Sequence, residues 1–489
     1  MKYRMLTLIN ISGLALGIAT CLIITLYVAD EYSYDRYNEH ADRIYRVLLK
    51  GKVSDELISE AVTPAPLAKT LKEEFPEVEL GIRLKNSGTP KISYSNNTFR
   101  TSQLAFVDPE FFQMFTLSSI QGNIKNALME PNTVVITTEI SRKYFGDENP
   151  IGKVLNFDEM DRQYKVTGVI EKVPDNSHFH FDLFATTVGL DDKIDFEWIQ
   201  SNGYCYLLLN KDYSAASLEG KFPAIVEKYM GPEIQQALGM SMAEFKESGN
   251  DVGFYLQPLT DIHLGSDVTE EGEFEQGGNI KSLYILSAIA LFILLIACIN
   301  FVNLSTSIAS KRSREVGVKK ALGGHKSQLI VQFLIESSLV VLLALLVSFV
   351  LLVIAIPYYN SLSGKSLQFT SLISPLTLML TIVFGLVISI LAGIYPAFVL
   401  SSFKPISALK GKVFSRGNTG GIRSGLVVLQ FAMSVVLIIV TLIADLQLSF
   451  ILNKDIGYEK DQILVIRESW ILKDKEVILK EQLEADSRV

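Results

Sequence analysis

Few residues in this sequence combine a type and a spacing that suit chemistry, and the most suggestive are two histidines. His178 and His180 form a His-x-His pair, and Asp182 follows two positions later. On a strand both imidazoles would share a face, which suits a metal ion, but Asp182 would lie about 13 Å from His178 at roughly 3.3 Å per residue. The alternative is a polar edge that alternates with Phe179 and Phe181. We favour that edge and assign no metal ligand or catalytic residue.

Other patterns could be mistaken for catalytic or transport sites. Gly364-Lys365-Ser366 resembles the end of a phosphate-binding loop, but Tyr359 occupies the position of its upstream glycine, so we identify no ATPase here. Glu336 and Asp445 are ionisable residues beside apolar stretches, where charge is costly and often functional. Both lie near an end of their stretch, which leaves an ion route as a minor alternative. The acidic run Glu270–Glu275 could bind a cation, but it is more typical of a solvated loop before the next helix. We predict that the chain is not an enzyme.

The sequence alternates between long apolar stretches without charged residues and charged connecting segments. Hydrophobic residues make up 48% of the chain, and five stretches lack Asp, Glu, Lys and Arg altogether. A membrane-spanning helix needs about 20 apolar residues, and each stretch is long enough for one span. Such a chain is not an ordinary soluble enzyme. The stretches are Met5–Ala29, Ser282–Ser310, Ser337–Gly364, Ser366–Phe403 and Ser424–Ala444.

Charge predicts which side of the membrane each connection occupies. Lys311–Lys326 and Lys404–Arg423 are strongly basic, whereas Asp30–Lys281 has 24 Lys and Arg against 41 Asp and Glu, a net charge of −17. Basic loops stay in the cytosol. We therefore expect a bacterial inner (cytoplasmic) membrane protein with a cytosolic N-terminus and Asp30–Lys281 outside. A cleaved signal peptide is the alternative for the first stretch, but its apolar run is longer than the usual ~7–15 residues.

We predict a multi-pass α-helical membrane protein with a large extracytoplasmic α+β domain. The predicted parts are transmembrane helices at 5–29, 282–310, 327–357, 372–403 and 424–450, the outer domain at 30–281, cytosolic segments at 311–326 and 404–423, and an outer tail at 451–489.

Within the outer domain, β-branched and aromatic runs predict strands, and 3.6-residue spacing predicts helices. The strands are Thr133–Thr137, Tyr164–Ile170 and Tyr204–Leu209, and the helices are Leu67–Phe75 and Glu139–Tyr144. Cys205 is the one cysteine of Asp30–Lys281, so no disulfide can form within that domain.

The first cytosolic segment predicts a short amphipathic helix. Val318 and Leu322 share a face, and Glu315 can pair with Lys319 one turn later. Gly323 and Gly324 should end the helix, and Ser327 should cap the next one. Two interpretations follow from the charge: a basic surface held by anionic lipid, or a contact for a cytosolic partner.

The same segment resembles a known family. Arg312–Gly323, with the sequence RSREVGVKKALG, is similar to the R-[ST]-R-E-[IV]-G-[IV]-[KR]-K-A-[ILMV]-G segment of MacB/FtsX-type ABC transporter permeases. Further similarities follow the family's order around the helices. They are Asn10–Gly17, Arg43–Val47, Val107–Pro109, Lys143–Gly146, Pro150–Lys153, Gln332–Glu336, Gly393–Ala397 and Lys404–Leu409.

The resemblance implies a permease subunit that couples ATP hydrolysis by a separate cytosolic ABC ATPase to periplasmic substrate export or extraction. Motion would pass from the cytosolic helix through the first two spans to a MacB-like periplasmic core domain, with no cofactor in this chain. The implied ATPase contact consists of Arg314, Glu315, Gly317, Val318, Lys320, Ala321, Leu322 and Gly323. The permease repeats would pair as a homodimer or pseudo-dimer in the bilayer, with a possible periplasmic adaptor and no nucleic acid.

Two alternatives stay open beside export. One is a regulatory or signalling complex in which the same lever controls a periplasmic enzyme or sensor, and the weaker one is a secondary transporter. The sequence also departs from the family's two-repeat form. Arg423–Phe450 resembles the first helix of a second repeat, and Ile456–Lys460 resembles the start of its outer domain. We therefore expect a partial chain with an incomplete second repeat.

Overall fold

A computed structural model describes most of the chain. The described residues are 4–95, 97–100, 103–190, 197–268, 272–311, 313–365, 367, 375–401, 419–454, 463, 466 and 475–485. Arg312, Lys404–Leu409 and Ile456–Lys460, which contribute to the family resemblance, lie outside them.

The long helices lie where the charge-free stretches are. They are α1 (Arg4–Tyr32), α10 (Ile280–Lys311), α12 (Lys326–Ser363), α13 (Pro375–Ser401) and α14 (Thr419–Asn453). Shorter helices are α2 (Leu67–Glu74), α3 (Phe111–Met114), α4 (Thr138–Phe145), α5 (Ala215–Glu219), α6 (Phe222–Ile225), α7 (Gly231–Leu238), α8 (Met242–Glu247), α9 (Ile262–Gly265), α11 (Ser313–Ala321) and α15 (Glu476–Glu484).

Fourteen described strands form one mixed sheet between α1 and α10. They are β1 (Ile44–Val53), β2 (Glu56–Glu60), β3 (Val62–Pro64), β4 (Val78–Asn86), β5 (Ile92–Tyr94), β6 (Asn97–Phe99), β7 (Leu104–Val107), β8 (Ser119–Gln121), β9 (Thr133–Thr137), β10 (Val154–Phe157), β11 (Arg162–Ile170), β12 (Leu183–Thr186), β13 (Ser201–Leu209) and β14 (Asp251–Pro258). The main strand order is β14-β1-β13-β4-β7-β12-β9-β11-β10-β5-β6, with β2 on β1, β3 on β13 and β8 on β11. We call this part, from Ser33 to Asn279, the outer domain.

The outer domain confirms the predicted α+β class. β9 has the predicted bounds, β11 and β13 contain the other two predicted strands, and α2 and α4 match the predicted helices within one residue at each end. The central strands are buried on both faces: every residue of β9 and β12 is buried. Helices therefore cover both faces of the sheet centre, as expected for strands that read as continuous apolar runs.

The membrane helices of the first compact unit, Met1–Arg423, pack through small and aliphatic side chains. Ala15 and Ile18 of α1 meet Ala297 of α10, and Val341 and Ala344 of α12 join the same buried cluster. Small residues let helix backbones approach closely, which favours association in a bilayer. The first helix is thus part of the packed membrane core.

Among the described residues, four helices are long and apolar enough to cross a membrane, namely Met5–Tyr32, Ile280–Ser307, Lys326–Ser363 and Ser424–Asn453. α13 corresponds to the predicted fourth span. Its described apolar stretch, Thr377–Leu391, is shorter than any of these four helices. The second compact unit, Ser424–Val489, contains most of α14 together with α15. None of the described residues of α15 is buried.

Candidate coupling site and the base of the outer domain

The predicted cytosolic helix is α11, which lies between α10 and α12. The packed face of α11 is anchored by Val316. This residue lies in a small buried cluster with Leu329 and Phe333 of α12 and Ala397 of α13. Gly317 is buried beside it. These contacts join α11 to both α12 and α13.

The opposite side of α11 is exposed and partly apolar. Val318 is 47% exposed and Leu322 is 84% exposed, and Glu315 and Ala321 are exposed as well. The structure therefore places the two predicted apolar residues on an uncovered surface, which we call the coupling surface: Glu315, Val318, Ala321, Leu322 and Gly323. Lys320 is half-buried, and Arg314 lies in the helix but its side chain is outside the described part.

The end of α11 follows the glycine prediction. Gly323 has a φ of +94°, a conformation that residues with a side chain rarely adopt. The Gly324 amide donates to the Lys319 carbonyl at 2.9 Å and closes the turn. The predicted cap at Ser327 is wrong: α12 begins at Lys326, and the His325 amide donates to Gln328 Oε1 at 3.1 Å. The glycine turn is short enough that α12 starts two residues earlier than a cap at Ser327 would allow.

A polar chain ties α11 to α12. Lys319 Nζ donates to Glu315 Oε1 at 3.0 Å, which confirms the predicted i, i+4 pair, and to Gln332 Oε1 at 3.1 Å. Gln332 Nε2 then donates to Glu336 Oε1 at 3.0 Å. Glu336, a candidate for an ion route, is thus hydrogen-bonded to the coupling region. Burial and the charge of Lys326 lower the pKa of Lys320 below its ordinary value.

The two histidines of the outer domain face different partners, and their segment is irregular rather than a strand. His178 is buried; its Nδ1 lies 2.8 Å from Asp35 Oδ1 and its Nε2 lies 2.7 Å from the Tyr206 hydroxyl. His180 Nδ1 lies 2.6 Å from Glu275 Oε1. Its Nε2 lies 3.0 Å from the Pro174 carbonyl oxygen. Both rings use both nitrogens for hydrogen bonds within the protein, which leaves no lone pair directed at a shared metal.

The acidic run before α10 has a structural role that the sequence did not reveal. Arg46 is fully buried, and both of its Nη atoms donate to the Glu273 carboxylate, at 2.5 and 2.6 Å. Gln257 Oε1 accepts from Arg46 Nε at 3.1 Å and from Nη2 at 2.7 Å. The prediction of a solvated loop is therefore wrong for Glu273, whose side chain is 12% exposed. Arg46 and Glu273 are 227 positions apart, so no local pattern indicated this pair.

A cavity of about 320 Å³ lies at the end of the outer domain that adjoins α1 and α10, where its lining includes Tyr34 and Asn279. We call this end the base of the outer domain. Its polar lining includes His178, His263, Glu273 and Glu275, each of which is hydrogen-bonded to another protein group. Among the described residues, no group of three or more His, Cys, Asp and Glu is arranged to hold a metal ion. These hydrogen bonds fix the side chains that line the cavity.

His180 should make the stability of the outer domain depend on pH. Burial lowers the pKa of His180, but the hydrogen bond and charge of Glu275 outweigh it and raise that pKa above the ordinary 6.5. A raised pKa in the folded state stabilises the protein fully below the unfolded value, and the contribution is lost as pH rises through the folded value. We expect H180Q to lower the urea midpoint at about pH 6 and to have little effect at about pH 9. An equal effect at both pH values would contradict the assignment.

The fold and the coupling site define a multi-pass membrane protein whose outer domain lies between its first two membrane helices. Residues 7–223 match the MacB-like periplasmic core domain, and residues 287–405 match the FtsX-like permease C-terminal region. The chain therefore combines the two regions of a MacB/FtsX-type permease, which confirms the family that the motifs indicated.

Similar proteins carry names from the same family. The macrolide export ATP-binding/permease protein MacB of Bdellovibrio bacteriovorus is 25% identical over 350 residues, which cover 70% of this chain and 48% of that protein. The uncharacterized ABC transporter permease YknZ of Bacillus subtilis is 24% identical over 279 residues, which cover 56% of this chain and 61% of YknZ. The chain thus spans about half the length of the MacB protein from Bdellovibrio.

The solved structures similar to part of this chain include a periplasmic domain. The periplasmic region of MacB from Actinobacillus actinomycetemcomitans is 16% identical and covers 45% of this chain and 91% of that chain, with a TM-score of 0.29.

Proposed function

We propose that this chain is the membrane subunit of a bacterial ABC system. A separate cytosolic ATPase binds and hydrolyses ATP, and this chain passes the resulting motion outward, where it drives export or extraction of a substrate. The observation that carries the proposal is the coupling surface: exposed Val318 and Leu322 on a short helix that is anchored to the inner ends of α12 and α13. An exposed apolar pair with a charged border is what a protein partner would cover.

The path outward follows the connectivity of the chain. α10 begins at the base of the outer domain and ends where α11 begins, and its 32 residues span about 48 Å at 1.5 Å per residue. α1 packs along α10 through Ala15, Ile18 and Ala297 and leads into the other side of the same base. A displacement of α11 is therefore carried to the outer domain by two packed helices.

Charge supports the same orientation. The segment that contains α11 carries six Lys and Arg against one acid, Glu315, whereas the outer domain is strongly acidic. Positively charged loops remain on the cytosolic side. The proposal accordingly places the N-terminus and α11 in the cytosol, the outer domain in the periplasm, and the chain in the inner membrane as one member of a permease pair.

The test is co-purification of the chain with a nucleotide-binding subunit of the ABC ATPase class from its own cells. We expect the wild-type chain in detergent or nanodiscs to retain this ATPase, and the E315R and G317L variants to lose it. E56R, on exposed strand β2 of the outer domain, is the matched control and should retain the ATPase. The proposal is wrong if the chain binds no ATPase and moves substrate on a proton gradient that depends on Glu336 or Asp445.

A further inference from the structure

Lys365 holds an unusual position on the outer side of the membrane region. It is the sole charged residue between Ser337 and Phe403, and it follows directly after α12. The turn that presents it is well defined. Gly364 ends α12 with a φ of +67°, and the Asn360 side chain both donates to the Leu367 carbonyl at 3.0 Å and accepts from the Leu367 amide at 3.1 Å. This turn therefore fixes the backbone position from which the Lys365 side chain extends.

The target of the Lys365 ammonium is the outer end of α1. Lys365 Nζ lies 2.9 Å from Asp30 Oδ2, 2.6 Å from Glu31 Oε1 and 3.2 Å from the Tyr34 hydroxyl. It also lies 4.8 Å from the centre of the Tyr34 ring. All three donor positions of the ammonium thus have an acceptor on one turn of chain, where α1 meets the outer domain.

A second set of contacts extends this cluster into the outer domain. The other carboxylate oxygen of Glu31, Oε2, lies 2.8 Å from His263 Nε2 of α9, and the His263 ring stacks on the Tyr34 ring with centres 3.4 Å apart. Gly278, just before α10, leaves room for this arrangement: a Cβ there would lie 2.4 Å from Glu31 Oε2 and 2.9 Å from His263 Nε2. The cluster therefore joins α1, α9 and the segment that follows α12, and it lies against the residues just before α10.

The cluster is more protected than a surface ion pair. The Lys365 side chain is 18% exposed and the Glu31 side chain is 4% exposed. Burial lowers the pKa of Lys365, but its bonds to Glu31 and Asp30 outweigh this and raise that pKa, so the ammonium stays charged. Partly buried charges with several partners are costly to separate, because each is left without compensation in a poorly solvated site.

We propose that Lys365 is a positioning residue that fixes the outer end of α12 to the base of the outer domain. Packing through Val341 and Ala344 already holds α12 against α1 and α10 within the membrane region. Lys365 extends this attachment to the outer end of α12, so that the base of the outer domain is fixed to α12 as well as to the two helices from which it extends. This inference deepens the proposed function, on which its role in coupling rests, but the attachment itself can be measured without an ATPase.

The experiment measures the distance between two nitroxides by pulsed electron paramagnetic resonance on the full chain in nanodiscs. Labels at L362C and L57C occupy exposed positions on α12 and β2, 89% and 83% exposed, with Cys21, Cys205 and Cys298 replaced by alanine. We expect a single narrow distribution for the parent, a broad one for K365M, and an intermediate one for E31Q, which removes a charge but keeps its shape. K365R should restore the narrow distribution, because it restores the charge.

K228M is the matched control, since Lys228 pairs with Glu74 at 2.6 Å on the exposed side of the outer domain, and its distribution should stay narrow. A K365M or E31Q distribution as narrow as that of the parent overturns the proposal. Adding the ATPase and ATP then tests the proposed function separately from the attachment made by Lys365. If no ATPase binds but K365M is still broadened, the proposed function is wrong and the attachment remains.

Discussion

Replacing Leu322 with aspartate should weaken binding of the ATPase at least about 30-fold, or by about 2 kcal/mol. Leu322 is 84% exposed at the end of α11, and its burial by a partner would contribute roughly 1.5–3 kcal/mol. Aspartate forfeits that contribution and brings a charge that must be desolvated at the contact. The measurement is the Kd of the purified ATPase for the chain in nanodiscs, together with the ATPase rate that the chain stimulates.

L362D is the matched control for this substitution. Leu362 is 89% exposed but lies at the outer end of α12, so the same change of residue and exposure occurs on the other side of the membrane. We expect L362D to bind the ATPase like the wild type. If L322D also binds the ATPase like the wild type, the coupling surface is not the ATPase contact and the proposed role of Leu322 is wrong.

The coupling helix could be predicted closely because its determinants are local. The Glu315–Lys319 pair needs only a four-residue spacing, and Gly323 ends the helix through its own conformational freedom. The strands β9 and β11 were likewise indicated by runs of β-branched residues within the strands themselves. The cap of α12 was the local feature predicted wrongly, because Ser327 and His325 compete for the same turn and Gln328 favours His325.

The base of the outer domain could not be predicted in the same way. Arg46 meets Glu273 across 227 positions, and Lys365 meets Asp30 across 335. Such pairs depend on how the sheet and the membrane helices are arranged, and the sequence carries no spacing that reports it. One signal was available: a single lysine in an otherwise charge-free stretch must find a compensating group at the membrane surface. That reasoning identifies Lys365 as important but not its partners.

The pair of Arg46 and Glu273 carries the second large prediction, because its two members are buried to different extents. The Arg46 side chain is 0% exposed and the Glu273 side chain is 12% exposed, beside the cavity at the domain base. Removing the carboxylate leaves a buried guanidinium that cannot lose its proton and keeps only the neutral Gln257 and Ser266 as hydrogen-bond partners. Removing the guanidinium instead leaves a carboxylate that water in the cavity can reach. We therefore expect an asymmetric response to the two truncations.

E273A should lower the free energy of unfolding of the outer domain by about 3–5 kcal/mol, whereas R46M should cost clearly less because the methionine fills the buried space without a charge. The measurement is urea unfolding of the full chain in nanodiscs, followed by the fluorescence of Trp198, which stacks on Tyr229, in a W470F background. D267A is the control: Asp267 pairs with Lys50 at 2.8 Å but is 67% exposed, so its loss should cost at most about 1 kcal/mol. Equal costs for E273A and D267A would mean that the buried pair is compensated by solvent, and the stabilising role assigned to Glu273 would be wrong.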